Sequence, residues 1–276
     1  MTDRRLLALL GAPVHHSLSP ALQNAAITAL EIDAVYVALW TWDELVGPFM
    51  RSLALAGGGG NVTVPHKRAA AAALDYASEA VRATGACNVF WWDDTRGLCG
   101  DNTDAAAFRT AAEAVLHREL TGCRVLLLGA GGAARAVVHA CRGAGIERVE
   151  ILNRTRARAE ALVEDLAVPG GVQVLEGREA LSGEPYDLIV NATSLGLDPS
   201  DPLPLEPGAV RAHAILDLVY GRDDTPFVRA ARAAGIEAVD GRLMLVEQAA
   251  LSFGKWFGRD PPRDVMLRVV GLGNTP

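Results

Sequence analysis

Chemistry is most legible where Val125-Leu126-Leu127-Leu128 runs into Gly129-Ala130-Gly131-Gly132-Ala133-Ala134. A G-x-G-x-x-A pattern that follows a strand and opens a helix suits a dinucleotide. Gly129 permits the tight turn, Gly131 lets a pyrophosphate reach the backbone, and Ala134 allows close helix–strand packing. The helix opening there offers unpaired N–H groups and its positive dipole end to phosphates, so Gly129, Ala130, Gly131, Gly132 and Ala133 form the expected cradle. The end of the next strand decides which dinucleotide. An NAD site wants Asp or Glu there to hold the ribose 2′-hydroxyl. This chain has Asn153, Arg154 and Thr155, then Arg156 and Arg158. Arginine grips a phosphate dianion bidentately, whereas a carboxylate would repel it. The alternative is a solvated helix start, but positive charge at a helix N-terminus opposes the dipole. The pattern predicts NADP, with Asn153, Arg154, Thr155 and Arg158 at its 2′-phosphate.

Further on, Asn191-Ala192-Thr193-Ser194-Leu195-Gly196 follows the strand Asp187 to Val190. It reads either as an ordinary polar turn or as a loop along the cofactor ribose or nicotinamide, because ligands of open α/β sheets bind beyond the carboxyl ends of strands. Asn191, Thr193 and Ser194 would then touch the cofactor. Taken singly, other polar residues have plain readings. Ser17 and Ser19 read as caps before Pro20, Lys67 as an exposed lysine opening a helix, and Asp104 as a helix N-cap. His15, His16 and His66 are assigned no chemistry.

The elements that must position these residues alternate between strand and helix, so parallel pairing should dominate. Strands are expected at Leu6 to Leu10, Ala34 to Trp40 and Asn61 to Val64, and at Ala86 to Trp92 and Leu98 to Gly100 around an Asp-Thr-Arg-Gly turn. Helices are expected from about Pro20, over Asp43 to Ala56, and from about Lys67. Gly57 to Gly60 should stop the second helix. A long helix from Asp104 to His117 leads into a second alternation. There the strands are Arg124 to Leu128, Val149 to Leu152, Val172 to Leu175, Asp187 to Val190 and Ala214 to Leu218. Helices run from Gly132 to Arg142 and from Arg156 to Leu166. Asp198 to Pro207 reads as loop, and the tail from about Leu243 as two helices broken by Pro261 and Pro262.

With 276 residues, half of them hydrophobic, the chain can build two domains. Its formal net charge of -7 does not attract nucleic acid or anionic lipid. Cys87, Cys99, Cys123 and Cys141 form no C-x-x-C pair and no zinc spacing, and read as free thiols of a reducing compartment; no metal is expected. The start Met1-Thr2-Asp3-Arg4-Arg5 could mimic a signal peptide, but Gly11 and Pro13 cut the following apolar run too short. No stretch approaches the roughly 20 apolar residues that cross a bilayer. A cytoplasmic chain acting on a small molecule is expected.

The N-terminal half adds a more specific pattern. Gly11-Ala12-Pro13-Val14-His15-His16-Ser17-Leu18-Ser19-Pro20, Asn61-Val62-Thr63-Val64-Pro65-His66-Lys67, Gly85-Ala86-Cys87-Asn88 and Asn102-Thr103-Asp104 follow one another in order. Asp217-Leu218-Val219-Tyr220 and Gly241-Arg242-Leu243-Met244-Leu245-Val246-Glu247-Gln248 come later. These blocks, covering nearly the whole chain in the family's order, resemble the shikimate dehydrogenase family. The resemblance implies reduction of the ring ketone of 3-dehydroshikimate with NADPH. It makes Lys67 and Asp104 the catalytic pair and rests the substrate carboxylate on Ser17 and Ser19. It places Asn61, Thr63, Asn88, Tyr220 and Gln248 on the substrate and Gly241 by the cofactor.

It also implies an α/β fold of two domains: a substrate domain over 1–105, a Rossmann-type NADP domain over 106–245, and C-terminal helices over 246–276 that return to the first. A cleft between the two would close over the ligands and exclude water. The sequence departs from the family's usual residues at Gly58 to Gly60, Val89, Ala105 to Ala107, Leu243 and Glu247. A relative acting on quinate or an aminated shikimate analogue therefore stays open, as do a non-catalytic NADP-binding regulator and a homodimer.

Overall fold

The computed structural model describes residues 4–166, 170–181, 183–198, 200–221 and 223–273. Met1 to Asp3 of the charged start and Pro199 of the Pro-rich loop lie outside them. The chain divides into two compact units, one of 1–104 and 245–276, the other of 105–244.

In the first unit, β1 (Arg5–Gly11), α1 (Ser19–Ala29), β2 (Ala34–Trp40), α2 (Val46–Leu55) and β3 (Gly59–Val62) follow in order. After them come α3 (Lys67–Ala72), β4 (Tyr76–Ala77), α4 (Glu79–Thr84), β5 (Val89–Asp93) and β6 (Gly97–Asp101). The sheet order is β2-β1-β3-β5-β6-β4. β1 pairs in parallel with β2 and β3, but β5 runs antiparallel to both β3 and β6. The sheet is therefore mixed. The turn from β5 to β6 is fixed by Asp93 Oδ1, which accepts from Thr95 N and Arg96 N at 3.0 Å each, and by Gly97 at φ 77°. Ala8, Leu10, Val46, Met50, Val62, Phe90 and Leu98 form the core against α2.

The glycines do end α2, with Gly57 at φ 76° just past the helix, and Gly59 and Gly60 already belong to β3. A Cβ on Gly60 would stand 2.1 Å from the Ala8 carbonyl oxygen, and one on Gly58 1.9 Å from that of Leu6. Close approach of β1, not strand propensity, dictates glycine here. The expected start of α2 at Asp43 is a 3-10 turn, Asp43–Leu45, before the α-helix proper.

In the second unit, α5 (Asp104–Leu116) leads to β7 (Arg124–Leu128), α6 (Gly132–Gly143), β8 (Arg148–Leu152), α7 (Arg156–Asp165) and β9 (Val172–Val174). Then come β10 (Tyr186–Asn191), β11 (Ala212–Asp217), α8 (Pro226–Ala233) and β12 (Glu237–Val239). All pairs are parallel, in the order β12-β11-β10-β7-β8-β9. Numbered from β7, this is the 3-2-1-4-5-6 order of a Rossmann sheet, with its switch point between β7 and β10. Alternate residues of β7 feed the two faces: Val125 and Leu127 join one buried cluster, Leu126 and Leu128 another. α9 (Arg242–Phe257) carries the chain back to the first unit, where α10 (Arg263–Val269) ends it after Pro261 and Pro262. Among the described residues, no helix is long and apolar enough to cross a membrane.

Candidate active site

In the first unit, polar residues gather just beyond the ends of β1, β3 and β6. Lys67 opens α3 and Asp104 follows β6. Lys67 Nζ donates to Asp104 Oδ2 at 2.5 Å, with the two side chains 19% and 4% exposed. Asp104 Oδ1 accepts from Asn88 Nδ2 at 2.8 Å, so both carboxylate oxygens are engaged, and Asp104 is itself the first residue of α5. Asn88 Oδ1 in turn accepts from Thr103 N at 2.9 Å, and Asn88 Nδ2 reaches Gln248 Oε1 at 3.5 Å. Asn102 Oδ1 accepts from Asp104 N at 3.0 Å, and its Nδ2 donates to Thr84 Oγ1 and Ala86 O. The turn after β6 is thereby locked.

Asn61 bridges three elements: Tyr36 Oη donates to its Oδ1 at 2.8 Å, while its Nδ2 donates to Asn88 O and Ser252 Oγ. Ser252 Oγ donates to Gln248 O at 2.8 Å. Thr63 stands half-buried against Gly11, where a Cβ would lie 2.5 Å from its Cγ2. Ser17 and Ser19 are half-buried, their hydroxyls 3.2 Å apart. The N-cap of α1 is Leu18, without a side-chain cap, but Ser17 Oγ accepts from Ser19 N, the first N–H of the helix, at 3.2 Å. His66 is buried between Thr41 O and Asp43 and braces the turn before Lys67. Burial pushes the neighbouring Cys87 thiol up to about 12, which leaves it inert at neutral pH.

Of the residues named from sequence, the structure brings Lys67, Asp104, Asn61, Asn88 and Gln248 into one hydrogen-bonded set. It places Tyr220 in the second unit, half-buried after β11. Tyr36, Thr103 and Ser252 belong to that set and were missed. Ser252 lies four residues after Gln248 on α9, and that helical spacing was the available signal.

In the second unit, the end of β7 fits a dinucleotide. Gly129 has φ 106°, and a Cβ there would stand 2.9 Å from Ala192 O. Gly131 and Gly132 face open space within 4 Å of where a Cβ would be, and Gly131 caps α6 with no side-chain bond. Free N–H groups at a helix start beside that space can hold phosphate oxygens. Asn153, Arg154, Thr155 and Arg158 follow β8. Arg156 is committed to Glu160 and Glu176, whereas Arg154 and Arg158 are exposed and form no ion pair among the described residues.

The loop after β10 is held by Asn191, whose Oδ1 accepts from Thr193 N at 3.1 Å and Thr193 Oγ1 at 2.7 Å. Its Nδ2 donates to Leu195 O. Ser194 lies in that loop. Gly241 is buried against the turn after β11, where a Cβ would stand 2.4 Å from Leu218 O. Among the described residues no cluster of side chains could hold a metal ion.

Comparison with known proteins matches this layout. The shikimate dehydrogenase substrate-binding domain matches residues 9–90, the shikimate/quinate 5-dehydrogenase family 110–196, and the shikimate 5′-dehydrogenase C-terminal domain 241–270. The shikimate dehydrogenase (NADP(+)) of Rubrobacter xylanophilus is 42% identical over 280 residues, covering 97% of this chain and 96% of its own. That of Salinibacter ruber is 41% identical, covering 94% of each. The crystal structure of Thermus thermophilus shikimate 5-dehydrogenase in complex with NADP(H) and shikimate is 38% identical. It superposes with a TM-score of 0.83 over 96% of this chain and 98% of its own. The site geometry, the two sheets and these matches over nearly the full length establish that the chain belongs to the shikimate dehydrogenase family.

Proposed function

We propose that this chain is an NADP-dependent shikimate dehydrogenase, an oxidoreductase acting on a CH–OH group. It reversibly reduces 3-dehydroshikimate to shikimate on the route to chorismate and aromatic amino acids. The observation that carries the reading is the Lys67–Asp104 pair, set among amide and hydroxyl side chains suited to a polyol. When bound, NADPH supplies a hydride from C4 of its nicotinamide. The Lys67 ammonium polarises the ketone oxygen and gives it a proton. Asp104 orients Lys67 and holds the reacting or neighbouring hydroxyl. In oxidation, neutral Lys67 accepts the alcohol proton.

Ser17 and Ser19 donate their hydroxyls to the substrate carboxylate. Asn61, Thr63, Asn88, Gln248 and Tyr220 bind the ring hydroxyls. Gly129 to Ala133 receive the pyrophosphate, Asn153, Arg154, Thr155 and Arg158 the 2′-phosphate, and Asn191, Thr193, Ser194 and Gly241 the nicotinamide half. The chain works in the cytoplasm; sedimentation of the purified protein tests whether it forms a homodimer.

Initial rates with shikimate and quinate crossed with NADP and NAD test the function. Turnover confined to shikimate with NADP is expected. Quinate is the second reading, because the family matched over 110–196 spans both substrates; faster turnover of quinate would replace the first. Ser17→Ala is expected to raise the Michaelis constant for shikimate about tenfold with kcat nearly unchanged, as for one lost bond to a charged group. An unchanged Michaelis constant would remove Ser17 from the site.

A further inference from the structure

The second unit buries a carboxyl group that the catalytic scheme does not use. Asp217, the last residue of β11, is fully buried. Asn191 Nδ2 donates to its Oδ1 at 2.7 Å and Val219 N at 3.1 Å, and Thr225 Oγ1 donates to its Oδ2 at 2.6 Å. Each of these partners commands a different segment. Asn191 organises the loop after β10. Val219 belongs to the turn that carries Tyr220 and packs on Gly241, whose N–H donates to Val219 O at 3.1 Å. Thr225 caps α8 by accepting from Val228 N. One side chain thus joins three segments around the carboxyl ends of β10 and β11.

We propose that Asp217 is a positioning residue for the cofactor, its carboxylate form holding the loop Asn191–Gly196 and the turn Leu218–Tyr220 where they meet the nicotinamide half. This rests on the reading of those segments given under the proposed function. The partners argue for the ionised form. All three groups bonded to Asp217 are donors, which a carboxylate satisfies together. A carboxylic acid must itself donate, and the Thr225 hydroxyl is the one partner able to turn and accept. Protonation therefore breaks the three-donor arrangement and disturbs the α8 cap.

Other charges near Asp217 are mutually paired. Asp240, whose negative charge also disfavours ionisation, is bonded by Arg242 Nε at 2.9 and 2.8 Å. Arg242 also holds Asp224 at 2.7 Å, and Asp224 pairs with Arg232. No cation among these pairs bonds Asp217 directly. Burial, opposed by the three hydrogen bonds and aided by Asp240, raises the Asp217 carboxyl from 3.8 to about 6. The folded chain thus holds this proton more tightly than the unfolded chain. Stability fully present below the unfolded value of 3.8 is lost as pH rises toward about 6.

The test is Asp217→Asn, a neutral isostere that can donate to Thr225, measured against wild type from pH 5 to 8. NADPH affinity is read by fluorescence titration and stability by thermal unfolding. The 2′-phosphate of NADPH titrates in the same range, so affinities are compared as a variant-to-wild-type ratio at each pH. The dissociation-constant ratio is expected near one at pH 5, rising to about five- to tenfold above pH 7. Over the same range the melting temperature of the variant should climb above that of wild type.

Weaker binding by a more stable protein is the signature that a purely structural carboxyl would not give. A ratio that stays flat with pH, or a variant that binds NADPH as tightly as wild type at pH 8, would overturn the positioning role. Wild-type protein that bound no NADPH would overturn that role and the cofactor reading together.

Discussion

Lys67→Ala is expected to lower turnover of shikimate with NADP by roughly a thousandfold, within the range that a positioned general acid or base supplies. The Michaelis constant for shikimate should move far less, because the ammonium acts on the oxygen that changes charge rather than on the bound polyol as a whole. The variant needs a companion. Removing Lys67 leaves Asp104, 4% exposed, with the Asn88 amide as its one side-chain partner among the described residues. Breaking a buried pair in this way costs about 3–5 kcal/mol, so lost activity could reflect lost fold.

Lys67→Arg separates the two. It keeps a cation beside Asp104, but guanidinium does not give up its proton in proteins. Thermal unfolding close to wild type with turnover still depressed by orders of magnitude is the expected pair of results. Rates within tenfold of wild type in both variants would remove Lys67 from proton transfer.

The second large effect concerns the cofactor. Arg154→Asp is expected to reduce kcat/KM for NADPH about a hundredfold or more, while NADH is used as well as before or better. Loss of bidentate bonds and repulsion of the 2′-phosphate act in the same direction, and an acid at this place can hold a free ribose 2′-hydroxyl. The expectation is specific to position. Arg156 already pairs with Glu160 and Glu176, so Arg156→Asp should affect the NADPH-to-NADH ratio much less. Equal losses with NADPH and NADH in Arg154→Asp would show that Arg154 does not read the phosphate.

What the sequence disclosed follows from how local each signal is. The turn after β7 was readable because the strand, the glycines and the helix start are contiguous. Lys67 and Asp104 are 37 residues apart, and nothing local to either distinguishes it from a helix-end residue; only the ordered set of motifs joined them. β3 was misplaced because Gly59 and Gly60 owe their strand to the Leu6 and Ala8 backbone, a contact invisible in composition. α8 was missed although Thr225-Pro226 is a capped start with proline in the first turn, and Gly235 stands just past its end. The strands β5 and β6 were legible around their Asp94-Thr95-Arg96-Gly97 turn, but the antiparallel run of β5 against β3 was hidden by a surrounding alternation that favours parallel strands. Asp217 read only as part of a motif, since its burial and partners depend on three segments meeting.

The first unit is discontinuous in the chain, and this sets an order of events during synthesis. Residues 105–244 form a contiguous unit and hold all their strands once β12 has been made. The first unit, although its sheet is made earliest, is completed only by α9 and α10. α9 supplies Gln248 and Ser252 to the polar network, Trp256 Nε1 to Phe90 O at 3.1 Å, and Ala249 O to the buried Gln23 amide. Until those last residues emerge, a mixed sheet with apolar faces must wait without its final cover, the situation in which partly built domains are most exposed to misassembly. Contacts spanning more than 200 residues, such as Gln23 with Ala249, also make closing this unit slow relative to the inserted one. The unit that carries Lys67 and Asp104 is thus begun before the inserted unit and finished after it.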